Sequence, residues 1–428
     1  MKVVIMAGGR GTRIAAVNAD VPKPMIPIKG KPVLEYQIEG LRRQGYTDFI
    51  FITGHLSHII SDYFGNGDKV SPCTGEPFGV NIQYIVENEP LGTAGALYYL
   101  RDLITDDFLL LNGDVIFDID VSRFMAYHKK NGGLATIMTH PNDHPYDSGL
   151  IETDDSGLVK NWMHKEDYRL WYKNRVNAGI HIISPRLLNR FDMAKKCDLD
   201  REILKPLIKE KALYAYDSPE YVKDMGTRDR LLAVENDIAA GRVSAKNLFR
   251  KQKAVFVDRD GTINKYVGFL KKIDQFELID GVAEAFREIN RLGYLIIVIT
   301  NQPVIARGDV SVEELEMIHM KMETLLGQKG AYIDGLYYCP HHPDKGFEGE
   351  RPEYKVECSC RKPKPGLILQ AAAKYNIELN ESWMIGDGIN DIAAGRNAGC
   401  KTAYIGTSEM ENTLSYKNMM DFVEDQLR

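Results

Sequence analysis

The sequence predicts an α/β protein of two domains, each a mostly parallel sheet flanked by helices. Three observations carry this reading. Short continuous apolar runs alternate with stretches of helical spacing, the pattern of a sheet covered on both faces. Those runs end in glycine, asparagine or aspartate motifs, at the strand ends where α/β sheets hold their ligands. The pattern also starts twice, once at the head of the chain and again at Ala254.

Residues 2–8 read as a strand and a loop. Residues 33–45 carry Val33, Leu34, Ile38 and Leu41 at helical spacing and stop at Gly45. Strands follow at 49–52 and 82–86, with a short helix between them and a helix starting near Thr93. The apolar run 108–111 ends in Asn112-Gly113-Asp114. From 134 to 224 the pattern is strand-rich and irregular, and 227–240 reads as a helix. Residues 241–252 are basic and aperiodic, and the linker is placed there, between domains at 1–240 and 253–428. The second series has strands at 254–257, 295–300, 383–387 and 402–406. Residues 414–427 show helical spacing, which predicts a terminal helix packed on the second domain, with a partner-binding helix as the alternative.

With 428 residues, 44% apolar and 27% charged, the chain has the composition of a globular protein with sizeable cores. A formal charge of -6 supplies no strong positive field, so neither a nucleic acid nor a membrane surface is the expected partner. The apolar run at 3–7 is too short for a signal peptide and no run reaches a membrane span, so the expected compartment is the cytoplasm. Three of the six cysteines, Cys339, Cys358 and Cys360, cluster in sequence, which suggests metal rather than bridges.

The first strand leads into Gly8-Gly9-Arg10-Gly11-Thr12-Arg13. Such a loop is either a plain tight turn or a backbone cradle for phosphates. Arg13 and Lys23, the latter held between Pro22 and Pro24, favour the cradle. Asp114 and Asp224 each read alone as helix caps; two carboxylates meeting at one Mg²⁺ would explain both.

These motifs, with Leu91-Gly92-Thr93-Ala94-Gly95-Ala96, Asn177-Ala178-Gly179 and Asp224-Met225-Gly226-Thr227, resemble the sugar-1-phosphate nucleotidyltransferases in order and spacing over about residues 1–240. The resemblance implies a Rossmann-like domain in which a sugar 1-phosphate attacks the α-phosphate of a nucleoside triphosphate and releases pyrophosphate. It assigns Gly8, Gly9, Gly11, Thr12, Arg13 and Lys23 to the triphosphate, with Arg13 and Lys23 catalytic. Glu87 and Gly92 go to the base, Asp114 and Asp224 to Mg²⁺, and Gly149, Lys165 and Asn177 to the sugar phosphate. Two departures are visible. Ile14-Ala15-Ala16-Val17 stands where many members have Leu-x-Pro-Leu-Thr, and His164-Lys165-Glu166 stands for the usual Glu-Lys-Pro. Asp20-Val21-Pro22-Lys23-Pro24-Met25 resembles the heptose- and mannose-1-phosphate guanylyltransferase branch, which leans toward GTP.

In the second domain, Asp258 and Asp260 follow a buried-type strand at i and i+2, so both point to one site. Thr300 and Asp387 end later strands, and Lys362 lies in Arg361-Lys362-Pro363. In this order they suggest phosphoryl transfer. They resemble the haloacid dehalogenase superfamily of phosphatases over about residues 253–410. The resemblance implies that Asp258 forms a phospho-aspartyl intermediate and that Asp260 is the acid and base. Thr300 and Lys362 would hold the phosphoryl oxygens, and Asp387 would complete Mg²⁺ binding with Asp258 and Asp260. Asp391 would orient a lysine or a metal-bound water, or cap a helix.

Cys339, His341, Cys358 and Cys360 form a Cys₃His set suited to tetrahedral, structural Zn²⁺, with a disulfide as the alternative. With Asn301-Gln302, this loop looks like the zinc-containing heptose bisphosphate phosphatases and the related histidinol-phosphate phosphatases, which places Asn301 and Arg361 at the sugar phosphate. Pro303-Val304 stands where those often have Ser-Gly. The two resemblances together imply a bifunctional enzyme of GDP-heptose synthesis. The alternatives are a mannose-1-phosphate guanylyltransferase fused to a phosphatase of other specificity, or one half serving as a non-catalytic phosphosugar sensor.

Overall fold

The computed structural model describes residues 1–9, 21–346 and 348–428. Gly11, Thr12 and Arg13, expected at the triphosphate, lie outside the described residues. The chain forms two compact units: Met1–Thr139 with Ile151–Trp162 and Asn177–Asn247, and His140–Leu150 with Met163–Val176 and Leu248–Arg428.

The strands of the first unit run Val159–Met163, Leu150–Thr153, Val176–Ile183, Phe108–Asn112, Val3–Met6, Asp48–Thr53, Asn81–Val86, and Ala135–His140 pairs beside Val176–Ile183. The four from Phe108–Asn112 to the edge strand Asn81–Val86 are parallel, with Val4 in register with both Ile50 and Leu110. Val176–Ile183 runs antiparallel to Phe108–Asn112. Alternate residues of one strand enter opposite cores. Val3, Ile5, Phe49 and Phe51 pack in one, and Val4, Ile50, Ile52 and Leu110 in the other. Burial on both faces is why these strands are written as unbroken apolar runs.

The sheet of the second unit is parallel throughout: Gly335–Cys339, Leu295–Asn301, Ala254–Val257, Trp383–Gly386, Lys401–Ile405, Leu414–Tyr416. Here too Val255, Val257, Ile296 and Val298 face one core, and Ala254, Phe256, Ile297 and Ile299 the other. Asp258, Thr300 and Asp387 therefore reach the same edge of three adjacent strands.

Three differences from the sequence reading have physical causes. The helix expected near Thr93 is a 3₁₀ helix at Gly95–Leu100. The N–H groups of Thr93 and Ala94 both donate to the Cys197 carbonyl at 3.0 Å, so they serve a neighbouring segment rather than a helix start. The stretch 414–427 is an edge strand, Leu414–Tyr416, followed by the helix Met419–Gln426. Asn418 makes the break, its side chain accepting from the Asp421 N–H at 3.0 Å. That helix buries Phe422 edge-on against Trp383, ring centroids 5.3 Å apart, in the core of the second unit. Finally, the two units do not divide the chain contiguously. His140–Leu150 and Met163–Val176 fold with the second, and within 241–252 Arg242–Ala245 forms a helical turn while Leu248 enters the second unit's core. Hydrophobic periodicity reports local structure and carries no trace of pairing between residues about 150 positions apart.

Among the described residues no helix is long and apolar enough to cross a membrane. The longest helix of the second unit, Val312–Gln328, opens with a capping box. Ser311 Oγ accepts from the Glu314 N–H at 3.0 Å, and the Glu314 carboxylate accepts from the Ser311 N–H at 2.8 Å. Ser311→Ala is expected to lower stability by about 1 kcal/mol. Urea unfolding of the full chain, followed by the signal of the second unit, measures it.

Candidate active sites

In the first unit, Gly8 follows the Val3–Met6 strand and packs on Glu87. A Cβ built at Gly8 would lie 2.5 Å from Glu87 Oε2, so a larger residue here would require the Glu87 carboxylate to move. Glu87 is positioned by its own N–H, which donates to the Thr53 carbonyl at 2.7 Å. Burial pushes its carboxyl upward, with the Leu91 N–H pulling the other way. Its Oε1 is buried without a hydrogen-bond partner among the described residues. That leaves an acceptor at the strand edge with capacity to spare.

Lys23 opens a short 3₁₀ helix, Lys23–Met25, with Pro22 before it and Pro24 inside it, and its ammonium pairs with Asp114. The turn carrying Asp114 is fixed from below. Gln37 Nε2 donates to the carbonyls of Asn112 and Val115 at 2.9 and 2.7 Å. The strands Val115–Asp118 and Tyr221–Asp224 pair antiparallel with Asp224 opposite Val115, which brings Asp224 beside Asp114. Burial works to raise Asp224, but Arg230 at 2.9 and 3.0 Å, the Gly226 N–H and Lys23 outweigh it, and the carboxyl ends below its usual range. Two carboxylates and two cations thus meet at one sheet edge.

Gly92 has φ +76° and lies against the Cys197 backbone, where a Cβ would come within 2.5 Å of the carbonyl oxygen. Asn177 Oδ1 accepts from the Gly179 N–H at 3.2 Å, and its Nδ2 lies 3.4 Å from Asp200 Oδ1. Asp200 was not legible in the sequence. Burial, then the charge of Asp198, pushes its carboxyl up to about 6. It lies in a π-helical turn, Leu199–Leu204, a form often found at functional sites. Gly149 and Lys165 lie in the two stretches that belong to the second unit.

In the second unit, the edge formed by three strands gathers Asp258, Asp387 and Asp391, whose carboxylate oxygens lie within 4.8 Å of one another. Lys362 Nζ stands 2.7 Å from Asp258 and 2.6 Å from Asp391, and donates to the Ile299 carbonyl at 2.8 Å. Its own burial opposes its charge, yet the two carboxylates hold the ammonium above its usual range. Burial pushes the Asp258 carboxyl up while Lys362 pulls it back. Burial, then the charge of Asp258, pushes Asp387 up to about 6. Three carboxylates against one ammonium leave two negative charges in a buried space, which fits a divalent cation held on oxygen ligands. Asp391 also caps the helix Ile389–Ala398, accepting from the Gly388 N–H at 3.0 Å.

Gly261 makes the approach of the turn to Asp387 possible. It has φ +87°, and a Cβ would fall 1.9 Å from Asp387 Oδ2. The Asp260 carboxylate, placed by the sequence reading at Mg²⁺ with Asp258 and Asp387, is turned instead to a different set of partners, and it is Asp391 that stands with those two acids. Arg259 clamps it through Nη2 at 2.8 and 2.9 Å, Gln302 donates at 2.8 Å, and Asn264 at 3.1 Å. Gln302 also donates to Thr300 Oγ1 at 2.8 Å. Arg259 is fully buried, and its Nη1 lies 3.1 Å from His319 Nε2. His319 is held neutral, first by burial and then by the Arg259 charge. The sequence displays Arg259 between the two aspartates, but nothing in it pairs that residue with a histidine 60 positions on. The amide of Asn301 is engaged with the Lys362 backbone, accepting at 3.0 Å and donating at 3.1 Å, so it fixes the lysine loop.

Cys339, His341, Cys358 and Cys360 converge at the end of the Gly335–Cys339 strand. The sulfur atoms are 3.2 to 3.6 Å apart, and His341 Nδ1 lies 3.3 Å from Cys360 Sγ and 3.6 Å from Cys339 Sγ. No disulfide joins them. Four ligands about 2.3 Å from one ion would stand at roughly this mutual spacing. Arg361, next along, donates to the His341 carbonyl at 3.1 Å, tying the cluster to the loop of Lys362.

Comparison with known proteins finds two families on the chain. The nucleotidyl transferase family model matches residues 2–241, and the haloacid dehalogenase-like hydrolase model matches residues 201–399. The chain is 40% identical over 177 residues to a D-glycero-beta-D-manno-heptose-1,7-bisphosphate 7-phosphatase of Pasteurella multocida, covering 41% of this chain and 93% of that protein. The protein of the same description from Escherichia coli K12 is 38% identical over 174 residues, covering 41% of this chain and 89% of the relative. Among solved structures, HddC from Yersinia pseudotuberculosis is 26% identical with a TM-score of 0.47, covering 55% of this chain and 99% of that one. The chain therefore belongs to the nucleotidyl transferase family through its first half and to the haloacid dehalogenase-like phosphatases through its second, and is an enzyme with a nucleotidyltransferase domain and a phosphomonoesterase domain.

Proposed function

We propose that this chain performs two consecutive steps of nucleotide-activated heptose synthesis. The phosphatase removes the 7-phosphate of D-glycero-D-manno-heptose 1,7-bisphosphate, and the transferase moves GMP from GTP to the remaining 1-phosphate with loss of pyrophosphate. One observation carries the reading. The half of the chain that is 40% identical to a heptose bisphosphate 7-phosphatase is joined to a nucleotidyl transferase half, to which the sugar 1-phosphate left by such a phosphatase would be the nucleophile.

In the phosphatase step, an Asp258 carboxylate oxygen attacks phosphorus, and the sugar oxygen leaves with a proton from Asp260. Water then attacks the phospho-aspartate, giving its proton to Asp260 and releasing phosphate. The clamp of Arg259, Gln302 and Asn264 fixes Asp260 for both transfers. Lys362 and Thr300 meet the phosphoryl oxygens. Asp258, Asp387 and Asp391 are the residues that would hold Mg²⁺, which would neutralise charge on the transferring group. The Cys₃His cluster would hold a structural Zn²⁺ that pins Arg361 toward the sugar phosphate.

In the transferase step, catalysis is positioning and charge neutralisation. Gly8, Gly9 and Lys23, with Gly11, Thr12 and Arg13, meet the triphosphate, and Asp114 and Asp224 would hold Mg²⁺. Asn177, Gly149 and Lys165 meet the sugar phosphate. The spare acceptor on Glu87 supports guanine, which presents a ring N–H and an amino group side by side as donors.

Asp258→Asn is expected to abolish phosphate release from the bisphosphate while sparing pyrophosphate release from heptose 1-phosphate and GTP; Asp114→Asn is expected to do the reverse. Phosphorus NMR of each reaction separates the products, and loss of both activities in either variant would sink the reading. Glu87→Gln is expected to raise the KM for GTP about tenfold, the effect of one buried charged hydrogen bond. Equal use of ATP and GTP by the unaltered enzyme would remove guanine from the proposal. Metal analysis of the purified chain is expected to find stoichiometric zinc, lost in Cys358→Ser together with thermal stability. A zinc-free, fully active preparation would dismiss the structural metal.

A further inference from the structure

Three side chains hold the Asp260 carboxylate, and two of them share its own turn. Arg259 is the residue before it, and Asn264 closes the turn, its N–H donating to the Arg259 carbonyl at 3.1 Å. Bonds among neighbours in one turn fix the carboxylate relative to that turn and to nothing beyond it. Gln302, just past the Leu295–Asn301 strand, is one tie from outside. A second runs through the guanidinium. Arg259 turns Nε and Nη2 to Asp260, while its Nη1 meets His319 Nε2 at 3.1 Å.

That contact is part of a packed interior. Arg259 is 0% exposed and His319 3%, and a guanidinium removed from water needs acceptors for its N–H groups. Since a guanidinium only donates, Nε2 of His319 must accept, which a protonated imidazole could not do. Burial, then the charges of Arg259 and Lys173, keep the ring neutral. The Tyr338 ring stands beside the imidazole, centroids 5.7 Å apart. The helix Val312–Gln328, which carries His319, is set in the core. Its Ile318, Met322 and Leu326 pack with Val255, Val257, Ile296 and Val298, from the strands that lead to Asp258 and Thr300. Asp260 is thus tied, through Arg259 and His319, to the same core that places the nucleophile.

We propose that His319 is a positioning residue for the phosphatase reaction: by accepting from Arg259 it fixes the guanidinium that aims Asp260 at the sugar oxygen. The proposal rests on the reading of Asp260 as acid and base. As the bond from Asp258 to phosphorus forms and the bond from phosphorus to the sugar oxygen breaks, Asp260 gives its proton to that oxygen. It takes one back from the water that then displaces Asp258. His319 touches neither substrate nor metal ligand in this scheme and exchanges no proton. Its effect falls on kcat whichever of the two steps is slower, because Asp260 serves both.

The test compares two amides at one position in the full chain, with heptose 1,7-bisphosphate as substrate. The side-chain oxygen of glutamine reaches about as far from the backbone as Nε2 of histidine, whereas that of asparagine reaches only about as far as Nδ1. His319→Asn is expected to lower kcat about tenfold with KM unchanged, the effect of one buried hydrogen bond to a charged group. His319→Gln is expected to stay within about threefold of the unaltered enzyme. Calorimetric titration with inorganic phosphate in magnesium buffer counts intact sites, so that kcat is taken per site. Asp260→Asn checks the underlying reading and should lower kcat about 100-fold or more. If Asp260→Asn keeps its rate, the acid and base assignment falls and this proposal with it. If Asp260→Asn loses its rate, three results overturn the role of His319 alone. These are equal rates in the asparagine and glutamine variants, a change confined to KM, and a loss of phosphate-binding sites in step with the loss of rate.

Discussion

The ammonium of Lys362, 2.7 Å from Asp258 and 2.6 Å from Asp391, is what allows three carboxylates to share one buried edge of the second sheet. Without an opposite charge, such a cluster would shed its ionisation by taking up protons. With one, it keeps part of its charge and retains an excess that a divalent cation would satisfy. The surrounding structure serves that balance. Asn301 fixes the backbone of the lysine loop, the Ile299 carbonyl takes a third bond from the ammonium, and Gly261 lets the turn approach Asp387.

A similar economy operates in the first unit at lower burial. Lys23 and Arg230 stand against Asp114 and Asp224, and the turn carrying Asp114 is held by a glutamine amide from the neighbouring helix. Both sites sit where parallel strands end, because a strand buried on both faces can offer polar side chains to a ligand at its end but not along its length. Glu87 adds the complementary feature, a buried carboxylate oxygen without a hydrogen-bond partner among the described residues.

The two arrangements differ in how their acids are treated. Asp258 and Asp387 are pushed upward by burial, whereas Asp224 is drawn downward by its cations. A buried carboxylate needs a metal or a lysine to keep it ionised; a carboxylate already paired with arginine is ionised without one. Asp260, clamped by Arg259, Gln302 and Asn264, is fixed in direction by hydrogen bonds rather than by neighbouring acids.

The sequence by itself determined the two α/β series, their strands, and the residues that strand ends present, because burial on both faces writes continuous apolar runs and the motifs follow them directly. It also placed Cys339, His341, Cys358 and Cys360 in one set, since ligand spacing is local. Only the tertiary structure decided what depends on distant partners. Arg259 meets His319, Asn177 meets Asp200, and Lys362 bridges Asp258 and Asp391 across more than one hundred residues of chain. It alone assigned His140–Leu150 and Met163–Val176 to the second unit, because the bonds that hold them there, from Tyr172 and Asn174 to Thr324 and Glu323, join backbone to side chain and leave no mark on hydrophobic pattern.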